Sequence, residues 1–162
     1  MLNNINYFFG NIGRIIYNNA SNVIRLKIHG LKNCLIVREH FIQYPLLTYK
    51  LVYFQIWFQI IDLILNKAHL NLEELLLIVG LKTNFYKGLS DLLIELFPNY
   101  IAAPLPNYLP NLHLMNIHWI AGFINADGGF YLSITSSKTH ALGEAYHPSI
   151  NIGQHIRSVI VL

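Results

Sequence analysis

Residues 119–134 have the sequence WIAGFINADGGFYLSI, and the hydrophobic periodicity changes within this stretch. The apolar residues up to Ala126 follow helical spacing, Asn116 is a suitable N-cap, and Gly128–Gly129 predict the end of the helix. Beyond the glycines, apolar and polar residues alternate as in a strand with one apolar face. A single carboxylate, Asp127, therefore lies at the junction of a helix and a strand.

The composition is that of an apolar chain: of 162 residues, 54% are hydrophobic and 12% are charged, and the mean hydropathy is +0.40. This composition is also compatible with a membrane protein. The most apolar run, residues 51–65, is shorter than the ~20 residues that a membrane-spanning helix needs. Gln55, Gln59 and Asp62 fall on one face of that run when it is helical. We predict a buried amphipathic helix there, and no membrane partner.

The charge and the cysteine content limit the partners and the metal sites that the protein can have. The net charge of +3 and the pI near 9.0 are compatible with a nucleic-acid partner but discriminate weakly. The lone cysteine, Cys34, excludes an internal disulfide and a multi-cysteine zinc site. The first residues, MLNNINYFFGN, have neither the basic residues nor the long apolar core of a targeting signal, so we expect synthesis in the organelle where the protein acts.

A β-hairpin is predicted over residues 13–30, with the Asn- and Ser-containing segment 18–21 as its turn. In the second strand Arg25 and Lys27 alternate with apolar residues. One face of this hairpin should therefore be cationic and the other apolar. The apolar residues are Ile24, Leu26 and Ile28.

Helical periodicity dominates from residue 31 to residue 97. The predicted helices span 31–43, 48–66, 71–82 and 90–97, the third capped by Asn71 and the last ended by Pro98. The uncharged, Pro-rich residues 99–116 predict a semi-extended linker. After the strand at 130–135, a polar connection is expected over 136–148, followed by a further strand over 149–156.

Small residues lie on one side of the helix that precedes Asp127. Gly122 and Ala126 are four residues apart and Trp119 lies one turn earlier, so the three share a face. Small side chains let a second helix backbone approach closely. The spacing is equally compatible with an ordinary core helix, and by itself it leaves both explanations open.

Asp127 is placed in the last turn of its helix, where the carbonyl end of the helix dipole disfavours an anion by roughly 0.3–1 kcal/mol. It is also the only acidic residue between Glu95 and Glu144. A solvated aspartate before a glycine turn is one explanation. A divalent cation is the other, because Mg²⁺ takes one or two carboxylates together with waters and phosphate oxygens. The residues by themselves leave both explanations open.

The segment IAGFINADG at 120–128 resembles the nine-residue signature of the LAGLIDADG homing endonucleases. It matches at Ala121, Gly122, Ala126, Asp127 and Gly128, and an asparagine stands where the signature usually has an acidic or small residue. Other parts of the chain are similar to segments of the two-motif, single-chain members encoded in mitochondrial introns: 39–50, 66–82, 84–98 and 150–157. The resemblance covers nearly the whole chain.

The resemblance implies an α+β fold in which two αββαββα halves pack through their signature helices and form antiparallel, saddle-shaped sheets over DNA. Residues 1–98 would be the later part of a first half that lacks its signature helix. Residues 99–116 would be the linker, and residues 117–162 the signature helix and first hairpin of a second half. The fold would therefore be incomplete in this chain.

The resemblance also implies a cleavage chemistry. Asp127 matches an acid that holds Mg²⁺ at a scissile phosphate, Lys50 a basic residue that stabilises the developing phosphate charge, and Gln154 a glutamine that orders solvent at the metal. With regular strand alternation Gln154 would share a face with Ile150 and Ile152, so the strand has to bend before it.

Binding surfaces follow from the same resemblance. Trp119, Gly122 and Ala126 would form the helix interface. Double-stranded DNA with an asymmetric target site would be the partner, its phosphates contacted by cations and its bases by polar side chains. The residues that would face DNA are Arg14, Arg25 and Lys27 from one sheet, and Tyr131, Ser133, Thr135, Asn151 and His155 from the other.

Two questions stay open at the level of sequence. The family's cleavage site needs two signature helices and this chain has one, so another polypeptide supplies the second, or the chain is an inactive remnant, or it is a fragment of a longer product. An intron RNA maturase, which assists splicing without cleavage, is the alternative to a mitochondrial, intron-encoded endonuclease.

Overall fold

The computed structural model describes residues 1–161 and the side chains of residues 1–158. The chain forms two compact units. The first contains Met1–Leu46 and Lys50–Tyr108, and the second contains Leu47–Tyr49 and Leu109–Leu162. The short segment Leu47–Tyr49 thus belongs to the same unit as Asp127, although it connects two helices of the first unit.

The first unit is a β-hairpin followed by helices, as the periodicity predicts. Its elements are α1 (Leu2–Phe8), β1 (Arg14–Asn18), β2 (Val23–Lys27), α2 (Leu31–Gln43), α3 (Lys50–Leu65), a 3₁₀ turn (Ala68–Leu70), α4 (Leu72–Lys82) and α5 (Asp91–Leu96). Helix α1 was not predicted from the sequence. The side chain of Asn6 ties it to the hairpin, because its Oδ1 accepts from Gly13 N at 2.8 Å.

The strand register determines the two faces of the β1–β2 hairpin. Arg14 pairs with Lys27 and Ile16 pairs with Arg25, so the three cations share one face, as alternation predicts. The opposite, apolar face is only partly covered. Leu26 is half-buried, whereas Ile24 is 51% exposed, so the predicted apolar face is present but is uncovered at the tip of the hairpin.

Helix α3 forms the centre of the first unit. Val52 and Ile56 are fully buried and Ile61 is nearly so, which confirms the prediction of a buried helix. Its Asp62 carboxylate pairs with the guanidinium of Arg38 on α2. Among the helices of the described residues, none combines the length and the apolarity that crossing a bilayer requires.

Helix α4 begins at the predicted cap, where Asn71 Oδ1 accepts from Glu73 N at 2.9 Å. The first part of the segment predicted as a linker packs against this helix. Ala103 N donates to the carbonyl oxygen of Gly80 at 3.2 Å, and a Cβ on Gly80 would overlap the carbonyl oxygen of Ile101. Glycine at position 80 therefore permits a backbone approach that no other residue allows.

The second unit contains a helix followed directly by a long antiparallel hairpin. Its elements are a 3₁₀ turn (Leu112–Leu114), α6 (Ile117–Asp127), β3 (Gly128–Ser136), β4 (Glu144–Ile152) and a 3₁₀ helix (Ile156–Val161). The predicted cap is present, because Asn116 Oδ1 accepts from the backbone N–H groups of His118 and Trp119, each at 3.0 Å.

Strand β4 differs from the prediction at both ends. It begins at Glu144, inside the segment expected to be a connection, and it ends at Ile152, four residues before the expected end at Ile156. The loop 137–143 closes the hairpin, with Ser137 N donating to Gly143 O at 2.8 Å and Gly143 at φ +74°. Pro148 is tolerated in the strand because each strand of a two-stranded sheet has an unpaired edge.

Candidate active site and nucleic-acid interface

Asp127 is the last residue of α6, and β3 starts at the next residue. Its carboxylate is exposed and accepts a hydrogen bond from Gln154, with Nε2 2.6 Å from Oδ2. Its carbonyl oxygen accepts from Gly153 N at 3.3 Å. The end of the helix is therefore held, through both side chain and backbone, by the segment that follows β4.

The contact between Asp127 and Gln154 depends on where β4 ends. Gly128 pairs with Ile152 at the last position of the ladder, so Gln154 lies beyond the regular alternation. This is the break in the strand that the assignment of Gln154 required. Gly128 makes the sharp transition from α6 to β3 possible, because a Cβ there would lie 2.6 Å from the carbonyl oxygen of Ile124.

The atoms around Asp127 suit a hard cation whose other ligands are waters and phosphate oxygens. One carboxylate and one side-chain amide supply oxygen donors, which is the donor type that Mg²⁺ prefers. Over the described part of the chain, no three His, Cys, Asp or Glu side chains cluster in a way that could hold a metal ion. These residues therefore fit a Mg²⁺ that keeps waters and phosphate oxygens, and they do not fit an all-protein metal cage.

Lys50, the predicted transition-state cation, is the first residue of α3 and is exposed. It directly follows Leu47–Tyr49, the segment that belongs to the second unit.

The predicted interface face of α6 is open in the described structure. No heavy atom outside the helix backbone and the neighbouring residues lies within 4 Å of where a Cβ on Gly122 would be, and Ala126 is exposed. Trp119 is half-buried and stacks on Phe123, with ring centroids 4.7 Å apart. The structure thus brings the small residues together on one accessible face, and their role in pairing stays a prediction.

The polar face of the β3–β4 hairpin gathers four of the residues expected to face DNA. Tyr131, Ser133, Thr135 and Asn151 share this face. Ser149, opposite Tyr131, and His147, opposite Ser133, lie on this face too. Neither was predicted from the sequence, because His147 was assigned to the connection and Ser149 was not singled out. His147 Nε2 is 3.1 Å from Thr135 Oγ1, so these two side chains form one polar pair.

His155 was predicted to be on the strand, and this was wrong. It lies beyond the end of β4, in an irregular segment, and its Nδ1 accepts from both the backbone N and Nε of Arg157, each at 3.2 Å. The strand ends earlier than its apolar alternation suggests because the chain turns at Gly153 toward Asp127.

The cationic face of the β1–β2 hairpin is accessible. Arg14, Arg25 and Lys27 are all exposed, and the register places Arg14 directly across from Lys27. Like charges opposite each other repel one another. A polyanion bound along this face would relieve that repulsion.

Comparison with known proteins gives a consistent result. A family model described as LAGLIDADG endonuclease matches residues 1–61. A curated relative, "Probable intron-encoded endonuclease 3" of Neurospora crassa, is 31% identical over 132 residues, which are 82% of this chain and 25% of that protein. The chain therefore spans about a quarter of the length of this relative.

Solved structures match nearly all of the chain. The homing endonuclease I-LtrWI bound to target DNA superposes with a TM-score of 0.90 at 30% identity, covering 99% of this chain and 53% of that one. I-SmaMI bound to an uncleaved DNA target in the presence of calcium gives a TM-score of 0.89 at 29% identity, covering 99% and 54%. These superpositions confirm the predicted α+β fold class. With the matching family model and the related intron-encoded endonuclease, they establish that the chain belongs to the LAGLIDADG endonuclease family.

Proposed function

We propose that this chain forms part of a site-specific DNA endonuclease, a homing endonuclease that hydrolyses phosphodiester bonds with Mg²⁺. The observation that carries the proposal is the hydrogen bond between Gln154 and the carboxylate of Asp127, at the junction of α6 and the β3–β4 hairpin. An accessible, oriented carboxylate beside a polar sheet face supplies the two parts that such an enzyme needs. DNA-bound relatives with the same fold support the partner.

Asp127 would hold the metal, and Gln154 would orient the carboxylate. The bound Mg²⁺ would supply a lowered pKa for its bound water and positive charge at the phosphate. The hydrogen bond from Gln154 Nε2 goes to Oδ2 of Asp127, and Oδ1 would be available to the cation. The ammonium of Lys50 would stabilise negative charge that develops on the phosphate oxygens.

DNA would contact each hairpin through its polar face. Arg14, Arg25 and Lys27 would neutralise phosphates, which gives affinity without sequence information. Side chains on the polar face of β3–β4 would contact base edges in the major groove, where each base pair presents a distinct pattern of donors and acceptors. His155 remains a candidate for a DNA contact from outside the strand.

A second signature helix would pack on α6, supplied by another polypeptide or by sequence that this chain does not contain. The open space at Gly122 supports this proposal. The apolar face of β3–β4 supports it as well, because Phe130, Leu132 and Ile134 are 78%, 61% and 55% exposed. In this arrangement residues 1–98 and 117–162 belong to two different halves, connected by residues 99–116.

We also propose a mitochondrial location. The support is the intron-encoded relative, together with a composition rich in Asn, Ile, Leu, Tyr and Phe that suits an AT-rich genome. Detection of the product in a purified mitochondrial fraction tests this part of the proposal.

The decisive comparison is between the wild-type chain, Asp127→Asn and the matched control Glu95→Gln, which changes an exposed acid on α5. Each protein is incubated with a randomised DNA duplex library and Mg²⁺, and the cleaved ends are sequenced. We expect wild type and Glu95→Gln to bind selected sequences and to cleave them once a second signature helix is supplied in trans, and Asp127→Asn to bind them without cleavage. If wild type neither binds nor cuts DNA selectively but binds intron RNA, and Asp127→Asn binds it equally well, the endonuclease proposal fails in favour of the maturase.

A further inference from the structure

Tyr49 is held from the other end of the chain. Its backbone N donates to Ser158 Oγ at 3.2 Å, across 109 residues of sequence. The guanidinium carbon of Arg157 lies 4.9 Å from the centroid of the Tyr49 ring, which is a cation–π arrangement. All three residues belong to the second unit, and we call this set of contacts the Tyr49 anchor.

Ser158 is a buried polar residue, 3% exposed, so a lost hydrogen bond there would be costly. Tyr49 immediately precedes α3 and occupies its N-cap position. In a capping box, the side chain of the third helical residue accepts from the N-cap N–H, but in α3 that residue is Val52, which has no polar atom. The hydroxyl oxygen of Ser158, 109 residues away in sequence, accepts the hydrogen bond from Tyr49 N instead.

The Arg157 side chain that lies over the Tyr49 ring is oriented by hydrogen bonds to His155. Its backbone N and its Nε both donate to His155 Nδ1, each at 3.2 Å. The same short segment begins with Gly153 and Gln154, which hold Asp127. The residues from 153 to 158 therefore contact Asp127 at one end and Tyr49 at the other.

We propose that Ser158 and Arg157 are positioning residues for Lys50. They hold Tyr49, and Lys50 is joined to Tyr49 by a peptide bond, so the N-terminal side of the backbone that carries the ammonium is held by Ser158 and Arg157. This inference rests on the proposed function for the role of Lys50. It adds that the segment 153–158, which holds Asp127, also holds the residue that precedes Lys50.

The test uses the full chain and two readouts. Amide hydrogen exchange measures the N-terminus of α3 without any need for activity. We expect exchange at residues 49–52 to be faster in Ser158→Ala and in Arg157→Gln, and to return to the wild-type rate in Ser158→Thr, which keeps the hydroxyl. The control Ser137→Ala removes a half-buried hydroxyl in the loop between β3 and β4 and should leave this exchange unchanged. Unchanged exchange in Ser158→Ala overturns the inference.

The second readout is the single-turnover cleavage rate at saturating DNA. Loss of a helix cap predicts a rate lower by about fivefold in Ser158→Ala with unchanged DNA affinity. In the Lys50→Ala background the same substitution should have no further effect, because it acts through Lys50. Independent, multiplicative effects would mean a merely structural role and would overturn the inference. A wild-type chain that cleaves no DNA even with a second signature helix supplied contradicts the proposed function instead, and the exchange comparison then decides alone whether Ser158 holds the start of α3.

Discussion

The side-chain amide of Gln154 donates a 2.6 Å hydrogen bond to Oδ2 of Asp127, across 27 residues of chain. The bond joins the end of α6 to the segment after β4. A ligand carboxylate that is held in this way has one oxygen oriented by protein and one oxygen available to a cation. Outer partners of this kind commonly determine the orientation of metal ligands.

The first prediction concerns Gln154 itself. Gln154→Ala removes the donor to Asp127 and should lower the cleavage rate by about ten- to a hundredfold, the usual cost of losing an outer partner at a metal site. Affinity for DNA should be unchanged. Asn151→Ala, on the polar face of β3–β4, should instead weaken DNA binding. Cleavage by Gln154→Ala at the wild-type rate, measured under single-turnover conditions, would show that the hydrogen bond has no part in the chemistry.

The second prediction compares two glycines that are both inside helices. Gly80→Ala forces a Cβ against the carbonyl oxygen of Ile101 and should lower the free energy of unfolding by about 1–3 kcal/mol. Gly122→Ala meets open space and should raise it by up to ~1 kcal/mol through helix propensity. Chemical denaturation at low protein concentration measures both. Equal effects of the same sign would contradict the packing described for α4 and α6.

The third prediction separates affinity from specificity in DNA binding. Replacement of Arg25 or Lys27 by Ala should weaken binding to all sequences alike and reduce the salt dependence of binding, with the slope falling by about 1 for each lost phosphate contact. His147→Ala or Thr135→Val should change the preferred base at one position while the salt slope stays constant. Binding titrations at several salt concentrations, on selected and unselected duplexes, distinguish the two outcomes.

His147 and Thr135 also allow a check on their coupling. Because Nε2 of His147 lies 3.1 Å from Oγ1 of Thr135, the double substitution should change base preference no more than the larger single one. Additive changes in the selected sequences would indicate that each side chain contacts its own base.

Local signals were sufficient for the elements around Asp127. The cap at Asn116, the helical spacing and the two glycines define the ends of α6 within one residue and the start of β3 within two. The cationic face of β1–β2 likewise follows from alternation alone, because register in a short hairpin is determined by its turn. These features depend on neighbours in sequence, so sequence reasoning reaches them.

Features that depend on distant contacts were not predictable in the same way. Pro148 and Gly143 suggested a long connection, yet pairing with β3 extends β4 back to Glu144. The anchoring of Tyr49 by Ser158 has no signal in sequence, because the two residues are 109 positions apart. Contact between Asp127 and Gln154 was anticipated only through the family resemblance, together with the requirement that the strand break before Gln154.

The central claim is that Asp127 binds a divalent cation next to DNA, and paramagnetic broadening by Mn²⁺ tests it most directly. In the complex of the chain with its selected duplex, Mn²⁺ replaces Mg²⁺ and the backbone amide signals are recorded for wild type and Asp127→Asn. We predict that the amides of Gly128 and Gly153 lose intensity in wild type and keep it in the variant. Equal broadening in both proteins, or no broadening at these two amides in wild type, would contradict the account.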